Sequence, residues 1–396
     1  MRIATITFQQ NATSQMQTLE AALSRTQNDL ATGKKLHTAA DDPVGMAQVN
    51  QLEVQLSASQ QYVANGNAAT STMKLEAQAV SDATKVLQSA RDLAIQANNA
   101  TLPAAQRQNI ATQLTQQLQD LIAIGNRVDG NGTYLFAANA SATAPFSQSG
   151  NIITYSGSSV VNQIQIGPNQ RISSGDSGAT VFMNIPAGNG TFTTTGAATN
   201  TGTGSIGVGT VVTPSAWVAD TYTVSFTSPT SYSVTNSAGT VVGTSSTFQD
   251  GNSIPFMGIQ VPITGTPAAG DSFTVAKAGN ASAFATLQSL ITTLSSPTLS
   301  PAQVSSQIGG VLQQIDNALS NMDDVSASVG ARINSITAAQ TTAQTLQTSL
   351  TRLTSQLSDV DYAAAITQLN TEEVSLQAAQ QSYASIAKLS LFNYIK

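Results

Sequence analysis

Between Ile308 and Val360 apolar residues return every three and four positions: Ile308, Val311, Ile315, Ala318, Met322, Val325, Val329, then Ile336, Ala339, Ala343, Leu346, Leu350, Leu353, Leu357 and Val360. One polar residue, Arg332, intrudes. A stripe sustained over roughly seven heptads requires one long helix laid against other long helices. At about 1.5 Å per residue that helix is on the order of 80 Å long, more than a compact domain of this size buries. The chain is therefore expected to be elongated, with helical partners elsewhere in the sequence.

Those partners precede it. A first helix is expected from about Thr7 to Thr32, with Leu19, Leu23 and Leu30 on its stripe and Gly33 as the residue after its end, where positive φ is wanted. Asp41-Asp42-Pro43 opens a second helix. Asp42 is placed to cap the orphan N–H groups, and Pro43 suits the first helical position, where no donor is needed. This helix carries Val49, Leu52, Leu56, Val63, Met73, Val80 and Leu87 for about 55 residues to the Asn98-Asn99 turn. A third runs from Pro103 with Ile110, Leu114, Leu118 and Leu121, and the Asp129-Gly130-Asn131-Gly132 turn follows it.

From Thr133 to about Ala278 the pattern changes to Thr, Ser, Gly and Val with period-two alternation, as in Thr221-Tyr222-Thr223-Val224-Ser225-Phe226. This predicts an all-β insert in two parts, a hairpin region up to Phe182 and a separate domain from Asn184. Gly188 to Gly209, rich in Gly and Thr, reads as a mobile loop. Helix returns at Ala281. Ser300-Pro301-Ala302-Gln303 then forms a capping box at the start of the long rod. Past Val360 the stripe changes phase through Ile366 and Leu369, with Asp359 or Asp361 as a new cap, and the chain ends in Leu391, Phe392, Tyr394 and Ile395. The fold class is mainly α with an all-β insert: an elongated helical-bundle and coiled-coil core built from N- and C-terminal helices around a central β domain. Residues 1–42 and 359–396 are expected to be the two halves of a terminal helical domain. Residues 43–182 and 279–358 form the bundle, and 183–278 the outer β domain. The terminal hairpin has little to bury, so residues before about 35 and after about 360 are expected to order only in an assembly.

Function classes narrow by exclusion. A net charge of -6 lacks the basic footprint that nucleic acid needs. No run has the length of a transmembrane helix, and Met1 to Ile6 lacks the apolar core of a cleaved signal. With no cysteine there is no disulfide or thiol nucleophile. His37, the single histidine, reads as a solvated linker residue. The pairs Asp41/Asp42, Asp323/Asp324 and Glu372/Glu373 are adjacent and point about 100° apart on a helix, so they do not converge on one bond. Trp217 reads as a β-domain core anchor. No catalytic, cofactor or metal site is expected, and the chain reads as a structural protein rather than an enzyme.

Gly33-Lys34-Lys35-Leu36 followed by Asp41-Asp42-Pro43, after a helix that starts Met1-Arg2-Ile3, resembles the N-terminal signature of the bacterial flagellin and hook-associated protein superfamily. Asp359-Val360-Asp361-Tyr362-Ala363 and Ser390-Leu391-Phe392-Asn393-Tyr394-Ile395 look like its hook–filament junction branch more than like flagellins. The resemblance covers about residues 1–140 and 280–396. It implies a structural part of the flagellum that joins the hook, through hook-associated protein 1, to the flagellin filament. It also implies a ring of the protein's own copies, a cytosolic export chaperone, and type III export to the cell exterior without a cleaved signal. Neither nucleic acid nor membrane insertion is expected. Packing and assembly are expected to rest on Leu19, Leu23, Leu30, Asp42, Pro43, Leu346, Leu350, Leu353, Leu357, Ile366, Leu369, Leu391, Phe392 and Tyr394. Two alternatives are a minor flagellin, which would polymerise alone, and an extracellular adhesin-like module using Trp217.

Overall fold

The structure is a computed structural model that describes residues 2–99, 101–140 and 142–392, with side chains described for 6–99, 101–140 and 142–385. Among the described residues six α-helices frame the chain: α1 (Arg2–Thr32), α2 (Pro43–Ala97), α3 (Ala104–Gly125), α4 (Ala283–Ser295), α5 (Pro301–Ser358) and α6 (Tyr362–Phe392). Strands lie between α3 and α4. They are β1 (Phe146–Ser149), β2 (Ile152–Tyr155), β3 (Gln163–Gly167), β4 (Gln170–Ser173), β5 (Ile185–Pro186), β6 (Phe192–Gly196), β7 (Ser205–Ile206), β8 (Thr210–Val211), β9 (Tyr222–Ser228), β10 (Ser231–Thr235), β11 (Val241–Ser245), β12 (Ser253–Phe256), β13 (Ile259–Thr264), β14 (Ser272–Lys277) and β15 (Asn280–Ala281). Tertiary contacts divide the chain into two units, Met1–Ala64 with Gln340–Lys396, and Asn65–Ala339. The unit boundary falls inside α2 and α5. α2 starts at Pro43, the position read as the first of that helix, and α5 ends at Ser358, two residues before Val360.

The helix ends follow the local chemistry. Asp42 Oδ1 accepts the Val44 N–H at 3.0 Å at the head of α2. Ser300 and Gln303 form a reciprocal box, with Gln303 N donating to Ser300 Oγ at 3.3 Å and Ser300 N to Gln303 Oε1 at 2.8 Å. Asp361, not Asp359, caps α6, accepting from Ala363 N and Ala364 N at 3.0 and 3.2 Å. Gly33 ends α1 at φ 73°.

In the second unit the core runs along α2, α3, α4 and α5. Met73, Val80, Leu87 and Ala94, spaced by seven, are buried with Leu114, Leu118, Leu121, Phe284, Leu287, Ile308, Ile315, Met322 and Val329. The hairpin β1–β2 and the π-helical turn Ala179–Met183 dock on it through an aromatic hub. Phe146 stacks against Phe182 at 5.5 Å and Phe284 at 4.8 Å. The hub tolerates no side chain at Gly178, where a Cβ would lie 2.6 Å from the Phe146 ring.

The insert has its own core, with no residue shared with the helical one. An antiparallel sheet in the order β11-β10-β9-β14-β6 faces a smaller group in which β13 pairs with β12, β7 and β8. Phe192, Tyr222, Phe226, Val261, Ile263 and Phe273 fill the space between them. Trp217 packs at its edge, with ring centroids 5.5 Å from Phe192 and 5.7 Å from Tyr222, as a core anchor should. The chain enters and leaves the insert side by side. β5 pairs with β15, and Ala187 N donates to Gly279 O at 3.0 Å.

Two expectations for non-helical segments need correction. Gly188 to Gly209 is not a loose loop. It contains the edge strand β6 with Phe192 fully buried, and Asp271 gathers its backbone by accepting from Thr201 N at 2.7 Å and Gly202 N at 3.1 Å. A buried carboxylate with several N–H partners is a strong organiser that composition does not reveal. His37 is not a free linker residue either. It is half-buried, and its Nε2 lies 2.8 Å from Asp29 Oδ1.

Candidate assembly surfaces

In the first unit α1 and α6 pair as a hairpin. Its root is a small antiparallel joint: Lys35 N donates to Ser358 O at 2.7 Å, and Val360 N to Gly33 O at 3.0 Å. Beside it Asp41 accepts from Thr38 N at 2.9 Å, His37 N at 3.1 Å and Arg25 Nη2 at 2.8 Å. These donors hold the Asp41 carboxyl below its ordinary pKa of 3.8, the Thr38 backbone N–H first. The Ser355 hydroxyl does the same for Asp359. Gly33 is favoured by its positive φ, while a Cβ there would lie 2.9 Å from the hydroxyl of the exposed Tyr362, which has room to shift.

The hairpin buries almost nothing within the chain. Among the described side chains of α1 and α6, Thr26 and Ala365 alone are buried. Leu19, Leu23, Leu30 and Leu369 are half-buried, while Ile366 is exposed. Leu391 and Phe392 are described only as helical backbone, and Tyr394 lies outside the described residues. Among the described residues, more than half of the exposed large apolar side chains fall in the first unit, which holds less than a third of the chain. Val44, Val54, Leu346, Leu353, Tyr362 and Val374 are among them.

The seam of α5 differs here from the uniform heptad expected. In the second unit every three-and-four position from Val304 to Val329 is buried. In the first, burial recurs every seven residues, at Ile336 just before the unit boundary, then at Ala343 and Leu350, with Leu357 half-buried. Leu346 and Leu353 are 45% and 47% exposed, so they are not core layers of the single chain. The cause is the number of neighbours: α3 and α4 lie wholly in the second unit, leaving the last turns of α5 beside α2. Ser59 Oγ on α2 donates to Ala343 O at 3.0 Å, fixing an antiparallel register that sets Leu52 level with Leu350.

Sequence reading missed the carboxamides of α5. Gln303 Nε2 donates to Ala198 O and Asn200 O at 2.8 and 2.9 Å. Asn317 Nδ2 donates to Pro186 O and Gly188 O, and Asn321 Nδ2 to Val181 O at 2.8 Å. One face of α5 thus holds the backbone that leads into the insert. The signal was present as Gln and Asn at heptad spacing, but it is shared by any solvated face. A cleft of about 540 Å³ opens between β6 and helices α4 and α5, lined by Thr194, Gly196, Ser289, Gln307, Gly310 and Gln314, with no charged residue in its wall.

Arg332, the intruder in the stripe, donates to Gly175 O at 3.0 Å and pairs with Asp176. Glu76 of α2 lies beside them and is 1% exposed. Its Oε1 accepts the Asp176 N–H at 3.0 Å. Burial first, then the charge of Asp176, push the Glu76 carboxyl up to about 8. Among the described residues no three His, Asp or Glu side chains gather to hold a metal ion, and no helix is long and apolar enough to cross a membrane.

Comparison with known proteins agrees with this geometry. Residues 3–141 match the bacterial flagellin N-terminal helical region, and 312–395 its C-terminal helical region. Residues 195–277 match the D2-like domain of flagellar hook-associated protein 1. Flagellar hook-associated protein 3 of Salmonella typhimurium is 29% identical over 185 residues, 47% of this chain and 58% of that one, so the chain spans less than two thirds of that curated relative. The crystal structure of FlgL from Xanthomonas campestris is 30% identical, with a TM-score of 0.72, covering 77% of this chain and 99% of that one. Flagellar hook-associated protein 3 from Legionella pneumophila is 29% identical with a TM-score of 0.74, covering 78% and 98%.

Proposed function

Because the chain belongs to the family of flagellar hook-associated protein 3, FlgL, we propose that it is a non-catalytic part of the bacterial flagellum that joins hook to filament. The observation that carries this reading is the first unit. Its hairpin exposes Ile6, Phe8, Ile366 and Val374, and its α5 exposes Leu346 and Leu353. Side chains of this kind lose free energy in water and regain about 25 cal/mol for each Å² that neighbouring subunits cover. The hook side is hook-associated protein 1, the filament side is flagellin, and copies of the chain close a ring between them. In this arrangement 1–42 with 359–396 lie innermost, 43–182 with 279–358 form the next layer, and 183–278 faces outward. A weakly held hairpin suits export as an unfolded, unprocessed chain, escorted in the cytosol by a chaperone.

The test is deletion of the gene. Cells should keep hooks, lose filaments and release flagellin into the medium; normal filaments in the deletion strain would reject the reading. Growth of long filaments from the purified protein alone would favour a minor flagellin instead.

A further inference from the structure

The second unit contains a buried charge cluster that the junction role does not use. Glu76 comes from α2, Arg332 from α5, and Asp176 from the turn 174–178 that joins β4 to the π-helical turn and so to the insert. Arg332 reaches both Gly175 O and the Asp176 carboxylate. Glu76 takes the Asp176 N–H. The turn is therefore held on one side by α2 and on the other by α5. It is also tied to the stretch before β1, because Gly178 N donates to Phe136 O at 2.8 Å.

Charge balance decides the state of this cluster. Two carboxyl groups face one guanidinium in a site where Glu76 is 1% exposed and the Asp176 and Arg332 side chains are 21% and 14% exposed. With both carboxylates ionised the site carries an unpaired buried negative charge, which is strongly unfavourable. One proton on Glu76 makes it neutral. Glu76 Oε2 is buried without a hydrogen-bond partner among the described residues, as is Arg332 Nε. Asp176 and Arg332 are the charged groups that face Glu76 from the turn and from α5. Leu135 presents a backbone carbonyl on the same side. On α2 itself Lys74 is exposed, and Asp82 is engaged by Lys85 and Arg127 at 3.2 and 3.0 Å.

We propose that Glu76, Asp176 and Arg332 form a proton-held clasp, closed while Glu76 keeps its proton and opened when the proton leaves, freeing the turn 174–178 from Glu76 of α2 and Arg332 of α5. The raised Glu76 pKa places the opening on the alkaline side of neutrality. Its sign follows from linkage. A carboxyl whose folded pKa lies above its unfolded value stabilises fully below the unfolded value of 4.5, and the contribution is lost as pH rises through about 8. Release of this turn loosens the start of the limb that leads to the insert without touching the insert's own core.

The experiment is amide hydrogen exchange on the full chain at pH 6 and pH 9, with each rate divided by its intrinsic value. Residues 176–178 should lose at least tenfold in protection at pH 9, while Ile110–Ile122 of α3 keeps theirs. Glu76→Gln holds a neutral, isosteric group and should remove the loss. Asp176→Asn leaves one carboxylate against Arg332 and should also remove it. A wild-type chain with no selective loss at 176–178, or a Glu76→Gln chain that loses protection like wild type, would overturn the clasp. So would failure of both variants to fold at pH 6, because the neutral amides should preserve the closed geometry.

Discussion

Leu350 and Leu353 are three residues apart on α5, yet they answer to different partners. Leu350 is 3% exposed, level with Leu52 of α2, and belongs to the folded chain. Leu350→Ala should cost about 2–5 kcal/mol, read as a lower melting temperature or denaturation midpoint. Leu353, at 47% exposure, has little to lose within one molecule. Leu353→Ala should cost about 1 kcal/mol or less in the isolated chain. Leu353→Asp should leave the melt near wild type and still prevent filament attachment in a complementation assay, because the charge would be buried against a neighbouring subunit. Equal melting losses at the two positions would show that the α5 seam is covered within the chain after all.

At the scale of elements, the joint between α1–α2 and α5–α6 depends on two carboxylates rather than on packing. Hydrogen bonds keep the Asp41 and Asp359 pKa values below 3.8. A depressed carboxyl stabilises above its unfolded pKa, and that contribution disappears as pH falls through the lower folded value. Acidification below about pH 4 should therefore speed amide exchange at Lys35, His37, Thr38 and Val360 before α3 is affected. Asp41→Asn should loosen His37 and Thr38 already at neutral pH. Unchanged exchange at these amides in the variant would mean that Asp41 merely decorates the turn.

For the whole molecule, separate cores predict separability. The insert's apolar core shares no residue with the helical one, and its entry and exit strands are bonded to each other. Removing 188–278 and joining Ala187 to Gly279, already 3.0 Å apart from N to O, should leave the six helices and a cooperative melt. Gln303 and Asn317 would exchange their insert carbonyls for water, a loss of about 1 kcal/mol for each hydrogen bond. Collapse of the helical circular dichroism would show that the insert is needed to fold the bundle.

Much of this architecture is legible in the order of the residues alone. The caps at Asp42 and at Ser300 with Gln303, and the positive φ at Gly33, involve partners within four residues, so local sequence specifies them, whereas Asp359 and Asp361 read alike and the structure selects Asp361. The long stripes on α2 and α5 and the switch to period two in the insert are likewise set by the succession of side chains. Burial is different, because it depends on how many elements surround a position. The same heptad spacing is core at Met322 and half-open at Leu353, since α3 and α4 lie beside one end of α5 and not the other. Phe192 in a Gly- and Thr-rich run became a buried edge-strand residue because β6 pairs with β14, where Lys277 lies opposite it. Glu76, Asp176 and Arg332 are separated by about a hundred and a hundred and fifty residues. Each reads alone as an ordinary polar side chain, and only the antiparallel packing of α2 and α5 around the turn makes them one charged site.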